Sequence, residues 1–130
     1  MLDHVSIAVT DIPRAARFYD AAMAALGVPC VWREKRAIGY GARNSAADDG
    51  HTYLTLRLGA APADPACHWC FRAPSRDAVH AFHAAGLAAG GADDGAPGLR
   101  PHYHPHYYAA FLRDPDGNRV EAVCHRAEAA

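Results

Sequence analysis

The sequence lacks a hydrophobic run of membrane-spanning length, an excess of charge of one sign, and a basic segment followed by an apolar core at its start. Its 130 residues include 13 Lys and Arg against 14 Asp and Glu, a formal net charge of −1. A transmembrane helix needs about 20 apolar residues, and nucleic-acid binding usually requires a basic patch. We therefore expect no membrane and no nucleic acid among its partners, and a cytoplasmic protein without a signal peptide.

Cysteine occurs four times, as Cys30, Cys67, Cys70 and Cys124. Without a secretory signal, these thiols are expected to be reduced. Cys67 and Cys70 have the spacing of half a zinc site, but no second pair follows and their segment has the pattern of a strand. We interpret them as small packing residues.

The first half of the chain predicts a strand, a helix and further strands. Apolar and other residues alternate over 4–9, which is the period of a half-buried strand. Asp11 is a suitable N-cap for the helix that follows, and Gly27 is a suitable residue to end it. Trp32 is expected to pack in the core, with a position lining the cup as the alternative. The further strands are predicted at 29–33, 36–40 and 52–58.

After a Pro-rich connector at 61–65, the same order of elements begins again. A strand at 68–71 precedes a helix capped by Ser75, and Gly90 with Gly91 ends that helix. The apolar residues on or near one face of the second helix are Val79, Phe82 and Leu87. The last two strands, near 107–113 and 119–124, flank a hairpin turn at 114–118 that contains an Asp-Gly pair.

An offset of 64 residues places the second half of the chain on the first. It superimposes His4 on His68 and Gly27 on Gly91, and it matches strand with strand, cap with cap and helix with helix. An internal repeat of this kind predicts an α+β fold of two βαβββ modules, 1–60 and 66–126, in a single domain. We expect a cupped mixed sheet with the helices on its outer face.

His4 and His68 begin equivalent strands, on the face opposite the apolar residues. In the last strand, Glu121 points away from Val120 and Ala122 in the same manner. If the two modules curl into one concave sheet, two imidazoles and one carboxylate converge as a facial triad. Such a set suits a divalent Fe, Mn, Co, Ni or Zn ion. The alternative is that all three are solvated strand residues.

These residues, with the segment Leu2-Asp3-His4-Val5 and the closing sequence FLRDPDGNRVEAV at 111–123, resemble the vicinal oxygen chelate superfamily. That superfamily includes glyoxalases, bleomycin-resistance proteins and extradiol dioxygenases. The resemblance covers nearly the whole chain and implies paired βαβββ modules around a metal that chelates adjacent substrate oxygens. It also implies that His4, His68 and Glu121 are the metal ligands.

One departure from the family concerns the fourth ligand of glyoxalase I, which comes from the last strand of the first module. The 64-residue offset places Arg57 opposite Glu121, so no carboxylate is expected there. His51 is a possible substitute, although it lies at or before the start of the strand. The remaining set resembles extradiol dioxygenases and metal-dependent fosfomycin-resistance thiol transferases.

The segment 99–108, LRPHYHPHYY, interleaves histidine with tyrosine and proline. We predict that it forms a rim over the site, in which His106 or Tyr107 contacts substrate or moves a proton. The alternative is a polar aromatic loop that leads into a strand.

Together these features predict a small metalloenzyme that binds adjacent oxygens of a small-molecule substrate, with dioxygenase-like or lyase/isomerase-like chemistry. The alternatives are a thiol transferase of the fosfomycin-resistance type and a non-catalytic, ligand-sequestering protein of the bleomycin-resistance type. The resemblance further implies a homodimer. In such dimers one site can take His4 from one chain and His68 with Glu121 from the other.

Overall fold

The computed structural model describes residues 1–60, 64 and 66–128, so the predicted connector at 61–65 lies outside the described residues except for Asp64. The order strand, helix, strand, strand, strand occurs twice, which confirms the α+β fold of two βαβββ units. The first unit contains β1 (His4–Val9), α1 (Ile12–Ala25), β2 (Cys30–Glu34), β3 (Ala37–Gly41) and β4 (Tyr53–Leu58). The second contains β5 (His68–Arg72), α2 (Arg76–Ala88), β6 (Ala92–Leu99), β7 (Tyr108–Arg113) and β8 (Arg119–Cys124).

The eight strands form two mixed sheets of four, with the orders β1-β4-β3-β2 and β5-β8-β7-β6. In each sheet the first strand runs parallel to its neighbour, and the other pairs are antiparallel. The two strands that begin with histidine, β1 and β5, therefore lie at sheet edges. Within the chain β1 and β5 are not hydrogen-bonded to each other, so the two sheets remain separate.

The predicted caps form as expected. Asp11 accepts a hydrogen bond from the backbone N–H of Arg14, and Ser75 accepts one from that of Ala78, which satisfies otherwise unpaired donors at each helix start. Gly27 follows α1 with a φ of 76°, a left-handed conformation that glycine adopts without strain.

The helices pack against each other and against one face of each sheet, so the two units share one core. Phe18 and Tyr19 of α1 and Phe82 of α2 are fully buried in it. Near the end of α2, the position that faces this core is Gly86, where a Cβ would overlap the Leu112 side chain. The prediction for Leu87 is wrong for this reason: the neighbouring glycine occupies the inward position, and Leu87 is 41% exposed.

The predicted hairpin turn at 114–118 connects the two units. The buried Asp114 carboxylate accepts hydrogen bonds from the backbone N–H groups of Asp116 and Asn118, from the Asn118 amide and from the hydroxyl of Tyr19 in α1, all at 2.8–2.9 Å. Asn118 also donates to the backbone carbonyl of Ala8 in β1. The turn therefore fixes the second sheet to the first strand and helix.

The face of each sheet that points away from its helix carries most of the polar side chains. We call these the N-terminal open face, with His4, Ser6, Trp32, Tyr53, Thr55 and Arg57, and the C-terminal open face, with His68, Cys70, Phe111, Arg119 and Glu121. Two expectations fail here. Trp32 lies on an open face and not in the core, because its strand partner Gly39 leaves room there. Cys70 is paired with Glu121 on an open face and not packed inside.

All four cysteines lie in the described part of the chain and are unpaired. None of the described helices combines the length and the apolar character that a membrane span requires.

Candidate metal site

Glu121 is the buried polar group at the centre of the C-terminal open face. Its strand, β8, lies between β5 and β7, and the residue is only 2% exposed. The hydroxyl of Tyr107 donates a hydrogen bond of 2.6 Å to its Oε2, and Nε2 of His68 lies 3.3 Å from its Oε1. We call His68, Glu121 and Tyr107 the His68–Glu121 half-site.

The chemistry of this half-site fits a divalent metal. A buried carboxylate is costly unless a cation or hydrogen-bond donors compensate its charge, and Glu121 has a partly exposed imidazole, a phenol and the Cys70 thiol beside it. Ligands at about 2.0–2.2 Å from one ion lie about 3–3.5 Å apart. The 3.3 Å between His68 Nε2 and Glu121 Oε1 falls within that range.

The electrostatics of the half-site keep its neighbouring groups protonated. Partial burial and the hydrogen bond to Glu121 raise the pKa of Tyr107 above its usual value. Removal of the Cys70 thiol from water, together with the nearby Glu121 charge, raises the pKa of Cys70 to about 12, although part of the residue remains exposed. The phenol and the thiol are therefore both protonated and uncharged near pH 7.

His4 lies on the N-terminal open face, and Asp3 orients it. Nδ1 of His4 is 2.6 Å from Oδ1 of Asp3, whose other oxygen accepts a hydrogen bond from the side chain of Asn44. These hydrogen bonds lower the pKa of Asp3 below its usual value. Metal-binding histidines commonly donate their second ring nitrogen to a carboxylate in this way, which leaves Nε2 available for a ligand. The sequence analysis missed Asp3, although its position directly before His4 was a usable signal.

The structure does not bring His4 together with His68 and Glu121 in one chain. Across residues 1–60, 64 and 66–128, no three His, Cys, Asp or Glu side chains lie close enough to hold a metal ion. His4 and the His68–Glu121 half-site belong to different sheets, whose strands are not hydrogen-bonded to one another. Each chain thus carries two separate partial sites.

The strand pairing corrects the prediction of which residue in the first unit corresponds to Glu121. Glu121 is paired with Cys70, the third residue of β5, and the third residue of β1, Ser6, is paired with Thr55. Thr55, and not Arg57, is therefore the structural equivalent of Glu121. The offset of 64 residues fails here because β5 and β8 are separated by two more residues than the corresponding strands β1 and β4. No carboxylate stands at this position in either alignment.

His51 contributes to a loop and not to this face. It precedes β4, and its Nε2 lies 2.6 Å from the carboxylate of Asp48.

The histidine- and tyrosine-rich segment reaches the site through one side chain. Tyr107 directly contacts Glu121, whereas His106 is exposed and only its backbone N–H bonds, to Nδ1 of His104. His104 Nε2 lies 2.9 Å from Nδ1 of His125, and the two rings stack. Tyr107 is therefore the member of this segment that contacts Glu121, and the roles of both His106 and Tyr107 stay predictions.

The chain is similar to one protein family and to several solved structures. The profile of the Glyoxalase/Bleomycin resistance protein/Dioxygenase superfamily matches residues 1–122. A glyoxalase/bleomycin resistance protein from Albidiferax ferrireducens T118 is 33% identical, with a TM-score of 0.79 over 98% of this chain and 99% of the other. The comparison with functionally curated proteins gives no match.

Two further structures share the fold at lower identity. A glyoxalase/bleomycin resistance protein/dioxygenase family enzyme from Burkholderia phytofirmans PsJN is 19% identical, with a TM-score of 0.66 over 93% of this chain and 95% of the other. A glyoxalase I variant from Zea mays is 22% identical, with a TM-score of 0.67 over 95% of this chain and 45% of that longer one. The profile match over most of the chain establishes that this protein belongs to the glyoxalase/bleomycin resistance protein/dioxygenase superfamily.

Proposed function

We propose that this protein is a small divalent-metal-dependent enzyme of the vicinal oxygen chelate type, which binds adjacent oxygens of a small-molecule substrate. The observation that carries the proposal is the buried Glu121 carboxylate, with His68 at 3.3 Å from one oxygen and Tyr107 at 2.6 Å from the other. An imidazole and a carboxylate on an open sheet face are ligands that Fe, Mn, Co, Ni and Zn share.

We further propose that the working unit is a homodimer, in which His4 of a second copy completes each site. Two observations support this arrangement. Asp3 already orients His4 as a ligand, yet no third ligand joins His68 and Glu121 among the residues that the structure describes. In addition, β1 and β5 are edge strands with free backbone groups, which favour association with another sheet edge. A two-fold dimer would form two equal sites.

The residues of the half-site have separable roles in this proposal. A divalent ion would supply Lewis-acid stabilisation of negative charge on the adjacent oxygens of the substrate. Tyr107 holds the Glu121 carboxylate in place through its hydrogen bond, and its raised pKa keeps the phenol protonated near neutral pH. The hydroxyl has one hydrogen, so donation of a proton to an oxyanion in dioxygenase-like or lyase/isomerase-like chemistry would require it to leave Glu121. The unpaired state of all four cysteines is compatible with the reducing cytoplasm.

The first test is the metal content, by mass spectrometry, of untagged protein that has never contacted a nickel column. We expect about one ion per chain in a two-fold dimer with two sites. His68→Ala should lose the ion. His102→Ala, which replaces an exposed histidine of the 99–108 segment, should retain it. Absence of any divalent ion, with no rise in melting temperature on adding Fe, Mn, Ni or Zn, would refute the metal-dependent enzyme.

A complementation test decides whether the site is shared between chains. His4→Ala and Glu121→Gln should each abolish metal binding. Refolded together, they form heterodimers in which one site carries both substitutions and the other carries neither. Random mixing should then restore about one quarter of the unsubstituted metal content. If His4 and Glu121 served the same site from one chain, mixing would restore none.

A non-catalytic, ligand-sequestering protein is the second candidate. The absence of a three-ligand group among the described residues of the single chain favours it. It predicts a metal-free protein that binds its ligand tightly and is not stabilised by divalent ions. The metal analysis above therefore separates the two candidates.

A further inference from the structure

A pocket of about 310 Å³ on the N-terminal open face is lined by two residues that each have a buried polar atom without a hydrogen-bond partner among the described residues. The two atoms are the indole Nε1 of Trp32 and the hydroxyl of Tyr53. Tyr53 is only 8% exposed, so its unpaired hydroxyl is removed from bulk water. An unsatisfied buried donor is unfavourable in a folded protein and calls for an explanation such as a bound ligand.

Gly39 is the reason that these two donors reach the same place. Its strand, β3, lies between the strands of Trp32 and Tyr53, and a Cβ on this residue would overlap both the Trp32 indole and the Tyr53 hydroxyl. The absence of a side chain allows both donors to lie directly over Gly39.

The wall of the pocket carries positive charge that the described residues leave without a carboxylate partner. Arg43 lies with its guanidinium 5.5 Å from the centre of the Tyr53 ring, and Arg57 projects from β4. Both are exposed, and neither makes a salt bridge within the described ranges. The acidic residue of the pocket, Asp3, is already bonded to His4 and to an asparagine.

The C-terminal open face shows the opposite arrangement. There Asp94 lies 2.6 Å from Arg119 and 3.6 Å from Arg113, so both guanidinium groups share a carboxylate partner within the chain. The N-terminal open face combines unneutralised cations with unsatisfied neutral donors. That is the chemistry that recognises an anionic oxygen group.

We propose that this pocket binds the anionic oxygen group of the substrate, a carboxylate or a phosphate, through Arg57, Arg43, the indole N–H of Trp32 and the hydroxyl of Tyr53. This inference rests on the proposed function in one respect: His4 lines the same pocket, so the anion would lie beside the metal ligand. It adds a substrate class, namely a small organic anion whose charged group binds next to the adjacent oxygens.

The test uses Trp32 as the reporter. The chain has two tryptophans, so Trp69→Phe leaves Trp32 alone. Metal-free protein, dialysed free of chelator, is titrated with sodium phosphate and with sodium acetate at constant ionic strength set by sodium chloride. We expect a saturable change in fluorescence with at least one of the two anions. Calorimetric titration of the unsubstituted chain should give the same affinity.

Substitutions then identify the residues that bind the anion. Arg57→Gln should weaken binding about ten-fold or more, since the anion loses a charge-assisted hydrogen bond. Arg17→Gln removes the same charge from an exposed position on α1, outside the pocket, and should leave the affinity unchanged. Tyr53→Phe should weaken binding without lowering the melting temperature, because its hydroxyl has no partner to lose.

The outcomes separate this proposal from the metal site. His68→Ala should lose metal and still bind the anion, because His68 is not part of the pocket. Saturable binding that depends on Arg57 supports the proposal, and the preferred anion identifies the group as phosphate or carboxylate. If neither phosphate nor acetate binds more tightly than chloride, or if Arg57→Gln and Arg17→Gln behave alike, the pocket is not an anion site, whatever the metal content.

Discussion

Replacement of Asp114 by alanine should destabilise the protein more than any other single change on its surface turns. The carboxylate is 4% exposed and accepts four hydrogen bonds, which join the turn at 114–118 to Tyr19 in α1. Hydrogen bonds to a charged group contribute about 1.5–3 kcal/mol each. The four are not additive, because water and local relaxation satisfy part of what is lost. We expect a loss of about 3–5 kcal/mol, because several neutral donors lose a charged acceptor at once.

Such a loss is large against the total stability of about 5–15 kcal/mol for a natural protein. It corresponds to a fall of about 10–20 °C in melting temperature for a chain of this size. Urea unfolding followed by circular dichroism gives the free energy, and Tyr19→Phe provides the single-bond comparison with an expected loss of about 1–2 kcal/mol. Asp49→Ala, in an exposed loop, should change the stability by less than about 0.5 kcal/mol.

The double variant completes a thermodynamic cycle. If the Tyr19 hydroxyl bonds to Asp114 as the structure shows, the two losses should be less than additive by about 1 kcal/mol. A loss below about 1 kcal/mol for Asp114→Ala, or strict additivity with Tyr19→Phe, would refute the turn as the connection between the units.

Three further predictions concern packing, the half-site and pH. Gly86→Ala should cost about 1–3 kcal/mol of unfolding free energy, because the new methyl overlaps Leu112, whereas Gly50→Ala should be nearly neutral; calorimetry measures both. Tyr107→Phe should lower metal affinity about ten-fold in a competition titration, since a ligand carboxylate loses its orienting bond; an unchanged affinity would contradict the proposed site. Burial and the adjacent carboxylate raise the pKa of Tyr19, so its contribution to stability should be constant below about pH 10 and be lost above that pH. Tyr19→Phe should reduce the loss of unfolding free energy above that pH, as measured by urea unfolding. An equal loss in the variant would refute this role of Tyr19.

The elements that the sequence predicted best are those with local signals. The strand that begins at His4 alternates with period two, Asp11 and Ser75 satisfy the first backbone donors of their helices, and the turn at 114–118 carries its own Asp-Gly pair. Each depends on residues within a few positions of one another. Local chemistry was therefore sufficient for these features.

Strand β6 shows where such signals end. Its sequence, ADDGAPGL at Ala92–Leu99, contains glycine, proline and aspartate, which are depleted in strands, and its register against β7 shifts at two places. It forms because β7 offers a free edge along which it can pair. Nothing within the segment itself indicates a strand, so only the assembled sheet could reveal it.

The candidate site divides in the same way. The period of a strand placed His4, His68 and Glu121 on open faces, and the sequence alone gave those positions. The contact of Tyr107 with Glu121 and the register that places Thr55, and not Arg57, opposite the site depend on how neighbouring strands pair. Sequence spacing carries no information on that pairing.

The sequence by itself thus determined the two βαβββ units, their caps and turns, the superfamily, and the faces on which the polar strand residues lie. These follow from periodicity and from backbone chemistry that acts over a few residues. Tertiary structure decided that the sheets stay separate within the chain, that Asp114 connects them, and that Trp32 and Tyr53 present unpaired donors over Gly39. These depend on contacts between residues distant in sequence, and such contacts exist only once the strands and helices have packed.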